Sequence, residues 1–436
     1  MQSMKILFQL INKFFNKFFF IVFMLSSMNA LEINVRPTGH KKIPLLLNIL
    51  STSDHDDLNL LAPLIKNDLE FRKQFEVTIK KIPAELKKSD IHALNKEGYP
   101  LVLFLSRESE DIAWRLYTTQ PVTMVKGKKY KKQGKELRGW AHGIADMVWP
   151  FLTGQEGFFS TKIAYCKEEQ VSKNKYSKHI YVADYDGSFP QPLITTSSMS
   201  VAPRWNKDSQ IPLLFYSECT PSNIRLMAVD MNKKKKIVSN FDGMNMFPSF
   251  SHDGKKVVYC ASRGDGSCHL YYYEKGIFKK ITHNEGNNVS PVLSDDGNSI
   301  FFCSDFQTGR PQIYCYNMKK NQIERLTDSG YCTAPAYCDK KQLLAYTKIV
   351  DGLNQIFLYD IMNKTHKQLT FDQSNKEECC WSACGNLLLF CSRQAGLSRL
   401  VMLDLLSQEQ RFITSSNDKC SYPAWSMIYN EFPSIT

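Results

Sequence analysis

Ser251, His252 and Asp253 stand side by side in the stretch FPSFSHDGKKVVYCASR (247–263). They are the residue types of a hydrolytic triad, in which serine attacks, histidine takes its proton and a carboxylate orients the histidine. Strand geometry argues against that chemistry here. Successive residues of a strand point to opposite faces, so three adjacent side chains cannot hydrogen-bond in series. Asp253-Gly254 is instead the pair that a tight hairpin uses. No G-x-S-x-G nucleophile elbow occurs in the chain. The acidic SDHDD (53–57) lacks the glycine and distal glutamate of a calcium loop and reads as the start of a helix, capped by Ser53 or Asp54. No C-x-x-C pairs with histidine at zinc spacing. These residues predict no metal site, no cofactor and no catalytic residue.

The same stretch recurs. A strand-entry motif x-P-x-aromatic-x appears as APRWN, FPSFS, SPVLS, APAYC, ECCWS and YPAWS, anchored at Pro203, Pro248, Pro291, Pro335, Cys379 and Pro423. The intervals are 45, 43, 44, 44 and 44 residues. A second strand follows the first five (LLFYS, VVYCAS, IFFCS, LLAYT, LLLFCS), and a sixth copy, IAYC (163–166), precedes them all. A third strand, clearest as RPQIYCYN (310–317), and a fourth segment ending in Leu/Ile-Thr complete each unit. A period of about 44 residues carrying four strands is a propeller blade. Six copies predict a six-bladed β-propeller over 156–436. The phase offset predicts closure: YPAWS supplies the strand missing from the IAYC blade, so distant parts of the chain share one sheet and no edge is left open. Within the hairpin, Asp253 aligns with Asp208, Asp296 and Asp339, while His252 aligns with Lys207 and Asp295. A base that changes identity from blade to blade serves no common reaction.

Before the repeat the pattern is mixed. KIPLLLNIL (42–50) reads as a buried strand and residues 58–75 as a helix. PLVLFLS (100–106) and IAWRLYTT (112–119) read as a hairpin, and 136–154 as a helix reaching Pro150, with Gly154 as its stop. This predicts a small α/β domain over 31–155. The first 30 residues have basic Lys5, Lys13 and Lys17, a ten-residue apolar run and a small Ala30, the layout of a secretory signal peptide. The run is too short for a membrane span. Its removal takes the net charge from +12 to +9, and the mature chain is expected to be soluble and exported. The stretch KGKKYKKQGKELR (126–138) holds seven basic residues and reads as a solvated loop or as a patch for anionic lipid or an acidic partner. Mixed charge elsewhere in an exported chain excludes nucleic acid. All thirteen cysteines lie at 166 or beyond. Cys166, Cys260, Cys303 and Cys391 share one strand register, which predicts mostly free, buried thiols. Cys303 with Cys315, and Cys260 with Cys268, are the spacings at which two thiols could face across a hairpin.

The blade stretches SDFQTGRPQIYCYNM (304–318) and FPSFSHDGKKVVYCASR, the terminal YPAWS, AHGIADMVWPFLTGQEGFFSTKIAYCKE (141–168) and VADYDGSFPQPLIT (182–195) resemble the TolB family, the periplasmic component of the Tol–Pal system. The resemblance covers the chain after the signal peptide. It implies a non-enzymatic, monomeric adaptor that meets membranes through its partners and supports outer-membrane integrity and cell division. It implies that the propeller binds the lipoprotein Pal through loops just before the strand-entry motif: Asn245, Met246 and Phe247, then Asn288, Val289 and Ser290, then Thr333 and Ala334. It implies that TolA is contacted by the segment 31–40, with Leu31, Glu32, Ile33, Asn34 and Val35. Met246 and Phe247 are read either as an exposed apolar cluster at that face or as packing between blades. The competing class is an enzyme with a metal-dependent hydrolase or lactonase site in the propeller tunnel.

Overall fold

The computed structural model describes residues 42–429, apart from 51–56, 83–86, 132–135, 174, 197, 209 and 264–265. The expected signal peptide, the segment Leu31–Val35 and the expected helix caps Ser53 and Asp54 lie outside the described residues. Two compact units divide between Gly157 and Phe158.

The first unit runs β1 (Ile43–Leu50), α1 (Asp57–Glu70), β2 (Phe75–Lys81), α2 (Lys88–Lys96), β3 (Leu101–Glu108), β4 (Asp111–Thr119), β5 (Val122–Tyr130) and α3 (Leu137–Thr153). The sheet order is β2-β1-β3-β4-β5. β1 lies parallel to both neighbours, and β3, β4 and β5 form an antiparallel meander. The continuous run Leu45, Leu46, Leu47 is fully buried, as a central parallel strand requires. α1 buries Leu58, Leu61, Ala62, Ile65 and Leu69 at helical spacing and packs on α3.

Three details depart from the expectation. The first helix stops at Glu70, because Lys73 turns left-handed at φ 58° and its N–H caps Glu70 O at 2.8 Å. α3 continues through Pro150 to Thr153. In the last turn the missing N–H removes a single helical bond, and Gly154 closes the end at φ 69° with its N–H on Pro150 O. The basic stretch is not all loop. Its residues 126–130 belong to β5, the outer edge of the sheet, where exposed Lys126, Lys128 and Lys129 discourage further strand pairing. Lys129 also pairs with Glu108 at 2.8 Å.

The second unit is six four-stranded antiparallel sheets. Blade 1 combines Cys420–Trp425 with Lys162–Ser172, Lys175–Asp184 and Gln191–Ile194. Blades 2 to 6 begin with inner strands Met199–Trp205, Asn245–Phe250, Asn288–Leu293, Cys332–Cys338 and Asn375–Trp381. These six inner strands touch in a closed ring. The expected closure is present: Ala424 pairs with Ala164 and Trp425 with Ile163. The Leu/Ile-Thr ending also gains a reason. The hydroxyls of Thr282, Thr327, Thr370 and Thr414 accept the third-strand N–H of Leu270, Ile313, Ile356 and Leu400 at 2.9–3.0 Å. Each threonine keeps a buried donor paired where the short fourth strand ends.

Every inner strand carries a β-bulge beside its anchor residue. The residue before the anchor is left-handed in all six: Ala202 (φ 54°), Phe247 (53°), Ser290 (52°), Ala334 (50°), Glu378 (58°) and Tyr422 (52°). A side chain there costs roughly 1–2 kcal/mol that glycine avoids. Ala334→Gly is therefore expected to be neutral, or stabilising by up to about 1 kcal/mol after the entropy of the unfolded chain is counted. Ala336→Gly, two residues on and outside the left-handed region, is expected to destabilise by about 1 kcal/mol. Paired urea denaturation curves check this; equal losses for both variants would refute the strain.

Candidate functional site

An inner strand is hydrogen-bonded on its outer edge and flanked by neighbouring blades on both faces. What remains half-buried on it either packs against the cores between blades, as Val292, Tyr337 and Trp381 do, or faces an open end of the ring. The Asn245 end of the ring is one mouth. The hairpin containing Ser251, His252 and Asp253 is at the other.

The residues expected to meet Pal divide by this criterion. They begin inner strands and are not loop residues. Asn245 is fully buried. Its amide nitrogen donates to Ile224 O and Phe241 O, and its oxygen accepts from Ser239 Oγ. Asn288 is likewise buried, donating to Asn284 Oδ1 and accepting from Ser304 Oγ. Both staple the chain between blades, so their side chains are not available at the mouth. Met246 belongs to the core between blades. Phe247, Ser290, Thr333 and Ala334 are half-buried at this end of the ring, and Val289, also half-buried, packs against two of the cores between blades. Of the two readings of Met246 and Phe247, packing holds for Met246, whereas Phe247 packs against the core with part of its ring open.

Two charged residues at this mouth were missed. Arg204 is half-buried in blade 2. Its guanidinium lies 5.6 Å from the Phe247 ring centroid, and Nη1 donates to Pro203 O at 2.8 Å. Glu378 of blade 6 occupies the left-handed position, and its Oε2 accepts the Tyr422 N–H of blade 1 at 2.7 Å. Burial pushes the Glu378 carboxyl up to about 7, against the opposing pull of the Tyr422 N–H and the Arg204 charge. Glu378, Tyr422, Arg204 and Phe247 thus form a bulky, polar arc over blades 6, 1, 2 and 3. Ser290 and Ala334 of blades 4 and 5 leave the opposite arc small. Aligning the blades would have found both residues. Arg204 stands where the other inner strands have Ser249, Val292, Ala336, Cys380 and Ala424, and Glu378 where they have Ala202, Phe247, Ser290, Ala334 and Tyr422.

At the far mouth the triad-like residues build a turn. Ser251 Oγ donates to Asp253 Oδ1 at 2.6 Å and accepts the Lys256 N–H at 3.0 Å, while Gly254 N–H closes on Ser251 O at 2.9 Å. The Ser251 hydrogen bond holds the Asp253 carboxyl below its usual range. The His252 side chain is exposed and joins neither partner. Its backbone N–H donates to Asp295 O at 2.9 Å, and Asp295 N–H donates to Asp339 Oδ2 at 2.5 Å. Asp339 therefore matches His252 and not Asp253: a 3₁₀ turn over Asp339–Lys341 replaces the Asp-Gly hairpin and shifts the alignment by one residue. Lys207 reaches past blade 3 to pair with Asp295 at 2.5 Å.

The cysteines are all free, ten of them buried. Cys303 and Cys391 donate across to Cys332 O and Cys420 O of the next blade, while Cys260 donates to Met246 O within its own. Burial raises the Cys260 and Cys391 thiols to about 12, which keeps them protonated and unreactive. Cys303 pairs with Ile313 and Cys315 with Phe301, so those two thiols do not face each other.

Comparison with known proteins gives one family and one fold. The model of the TolB β-propeller domain matches residues 149–429. The Tol-Pal system protein TolB of Coxiella burnetii is 28% identical over 205 residues, 43% of this chain and 46% of that protein. Its counterpart in Rickettsia prowazekii is 31% identical over 159 residues, 36% of this chain and 34% of that protein. The chain thus spans about half of one curated relative and a third of the other. The crystal structure of TolB from Acinetobacter baumannii matches with a TM-score of 0.74 at 22% identity, covering 88% of this chain and 97% of that one. At that identity it speaks for the fold alone.

Proposed function

The chain belongs to the TolB β-propeller family, and on that premise we propose that it is a periplasmic Tol–Pal component that acts by holding other proteins together. Pal is the partner assigned to the Phe247 mouth and TolA the partner assigned to Leu31–Val35, a pairing that would serve outer-membrane integrity and cell division. One observation carries the reading. The Phe247 end of the ring carries unlike half-buried residues, with an aromatic ring and a guanidinium that has no ion-pair partner among the described residues on one side and small residues on the other. That is the form of a recognition surface. No reaction belongs to this reading: Ser251 and Asp253 are spent on a turn, and Asp295 and Asp339 are bonded to Lys207 and to backbone. Among the described residues no helix is long and apolar enough to cross a membrane.

The test is calorimetry of the chain without residues 1–30 against the periplasmic domain of Pal. A 1:1 complex is expected, weakened at least tenfold in the double variant Phe247→Asp/Val289→Asp. Aspartate tolerates the left-handed backbone at 247, but Val289 packs against two cores, so thermal melting must first show the double variant folded, and Phe247→Asp alone is measured beside it. Unchanged affinity in the folded double variant would remove the assigned face.

A further inference from the structure

Arg204 is built to bind an anion it does not have. Arginine carries five N–H donors in a planar fork suited to a carboxylate. One of them reaches its own neighbour, Pro203 O, at 2.8 Å. Among the described residues no carboxylate stands within ion-pair distance of the guanidinium. Glu378 is near enough for its charge to be felt, but its Oε2 is turned to the Tyr422 N–H. The Phe247 ring lies alongside the guanidinium, which limits the directions left to its free edge. The remaining residues at the same register (Ser249, Val292, Ala336, Cys380 and Ala424) carry no charge to compete.

We propose that the Arg204 guanidinium is the receptor for a carboxylate side chain that the partner brings to this mouth, and that Glu378 takes up a proton when it arrives. The proposal rests on the reading of this mouth as the partner-binding face. Two carboxylates against one guanidinium repel, and the buried one yields by becoming neutral. The proton comes from solvent and adds to the Glu378 carboxyl as the partner's carboxylate pairs with Arg204, so the site itself stays neutral and the complex carries one proton more than its separated parts.

Other groups around Glu378 do not titrate between pH 6 and 8 in its place. Burial keeps the Tyr422 phenol and the thiols of Cys166, Cys379, Cys380 and Cys391 protonated well above neutrality. Glu377, the next acid along the strand, pairs with Arg393 at 3.6 Å. Lys178 lies over the Tyr422 ring at 5.9 Å. The sign follows. Below pH 7 Glu378 is already largely neutral and affinity is flat. Above pH 7 it must be protonated on binding, and affinity falls by up to tenfold per pH unit.

The experiment measures the affinity of the Pal periplasmic domain at pH 6, 7 and 8, with proton uptake counted by calorimetry in two buffers of different ionisation enthalpy. Variants are Arg204→Gln, Arg204→Lys and Glu378→Gln, each checked by thermal melting. Arg204→Gln is expected to lose tenfold or more, Arg204→Lys to recover part, and Glu378→Gln to bind without the pH slope or the proton uptake. Comparing Glu378→Gln with the native chain cancels any histidine the partner contributes. A folded Arg204→Gln that binds as the native chain does, or a slope that persists in Glu378→Gln, overturns the proposal and leaves the binding face intact. No Pal binding by the native chain at any pH removes the face and the proposal with it.

Discussion

Trp425→Ala is expected to lower the stability of the propeller by about 3–5 kcal/mol, the cost of truncating a large buried aromatic. Trp425 is 8% exposed, and its indole N–H donates to Thr161 Oγ1 at 2.8 Å. It sits in the strand Cys420–Trp425 that closes blade 1 onto Lys162–Ser172. The contacts there join residues more than 250 positions apart: Ser426 N–H donates to Lys162 O at 2.8 Å, and Lys162 N–H to Ser426 Oγ at 2.9 Å. Blade 2 leans on the same strand, through the Trp205 indole N–H to Ala424 O at 3.1 Å. Loss of the anchor therefore loosens two blade contacts and exposes a strand edge. For a unit of this size the loss corresponds to roughly 10 °C in melting temperature. Trp381→Ala is the control. It occupies the same register in blade 6, is half-buried and donates to Ala336 O at 2.9 Å, but takes no part in closure. Limited proteolysis and thermal melting should rank Trp425→Ala clearly below Trp381→Ala. Equal losses would show that closure adds nothing to the packing of one indole.

The repeat made most of the propeller legible. A proline or its substitute every 43 to 45 residues marks each inner strand, and the displaced final copy announces the closure. The local conformation at that proline was not legible. Nothing in the residue types of Ala202, Ser290 and Ala334 signals a positive φ, and the ring of neighbouring blades, a tertiary effect, holds them left-handed. The bulge also reverses what the motif suggested about Asn245 and Asn288. Placed before the proline they looked like mouth residues, yet each is folded back into the gap between blades to satisfy backbone groups. Asp339 shows the opposite failure: a residue type that fits the Asp-Gly hairpin was aligned to it, although the 3₁₀ turn places it at the His252 position. At the functional level, Ser251, His252 and Asp253 have the residue types of a reaction, but Ser251 and Asp253 are spent on a turn. The informative residues were the ones that break blade symmetry with a charge, Arg204 and Glu378.

In the first unit, His142→Ala is expected to destabilise by about 3 kcal/mol or more, because it withdraws a partner from a carboxylate that water does not reach. His142 Nδ1 and Asp68 Oδ2 are 2.8 Å apart, and both side chains are 3% exposed. They join α3 to α1, the helix pair that packs together in that unit. A buried carboxylate that loses a hydrogen-bonding partner retains its desolvation cost, so the single change costs more than the pair contributed. The double variant Asp68→Ala/His142→Ala removes both the partner and the charge, and should recover part of the loss despite the larger cavity. Hydrogen exchange reads this locally. Amides of 57–70 and 137–153 should exchange faster in His142→Ala, while the inner strands of the propeller keep their protection. A double variant less stable than the single one would mean that packing volume, and not the hydrogen bond lost by the carboxylate, sets the cost at this position.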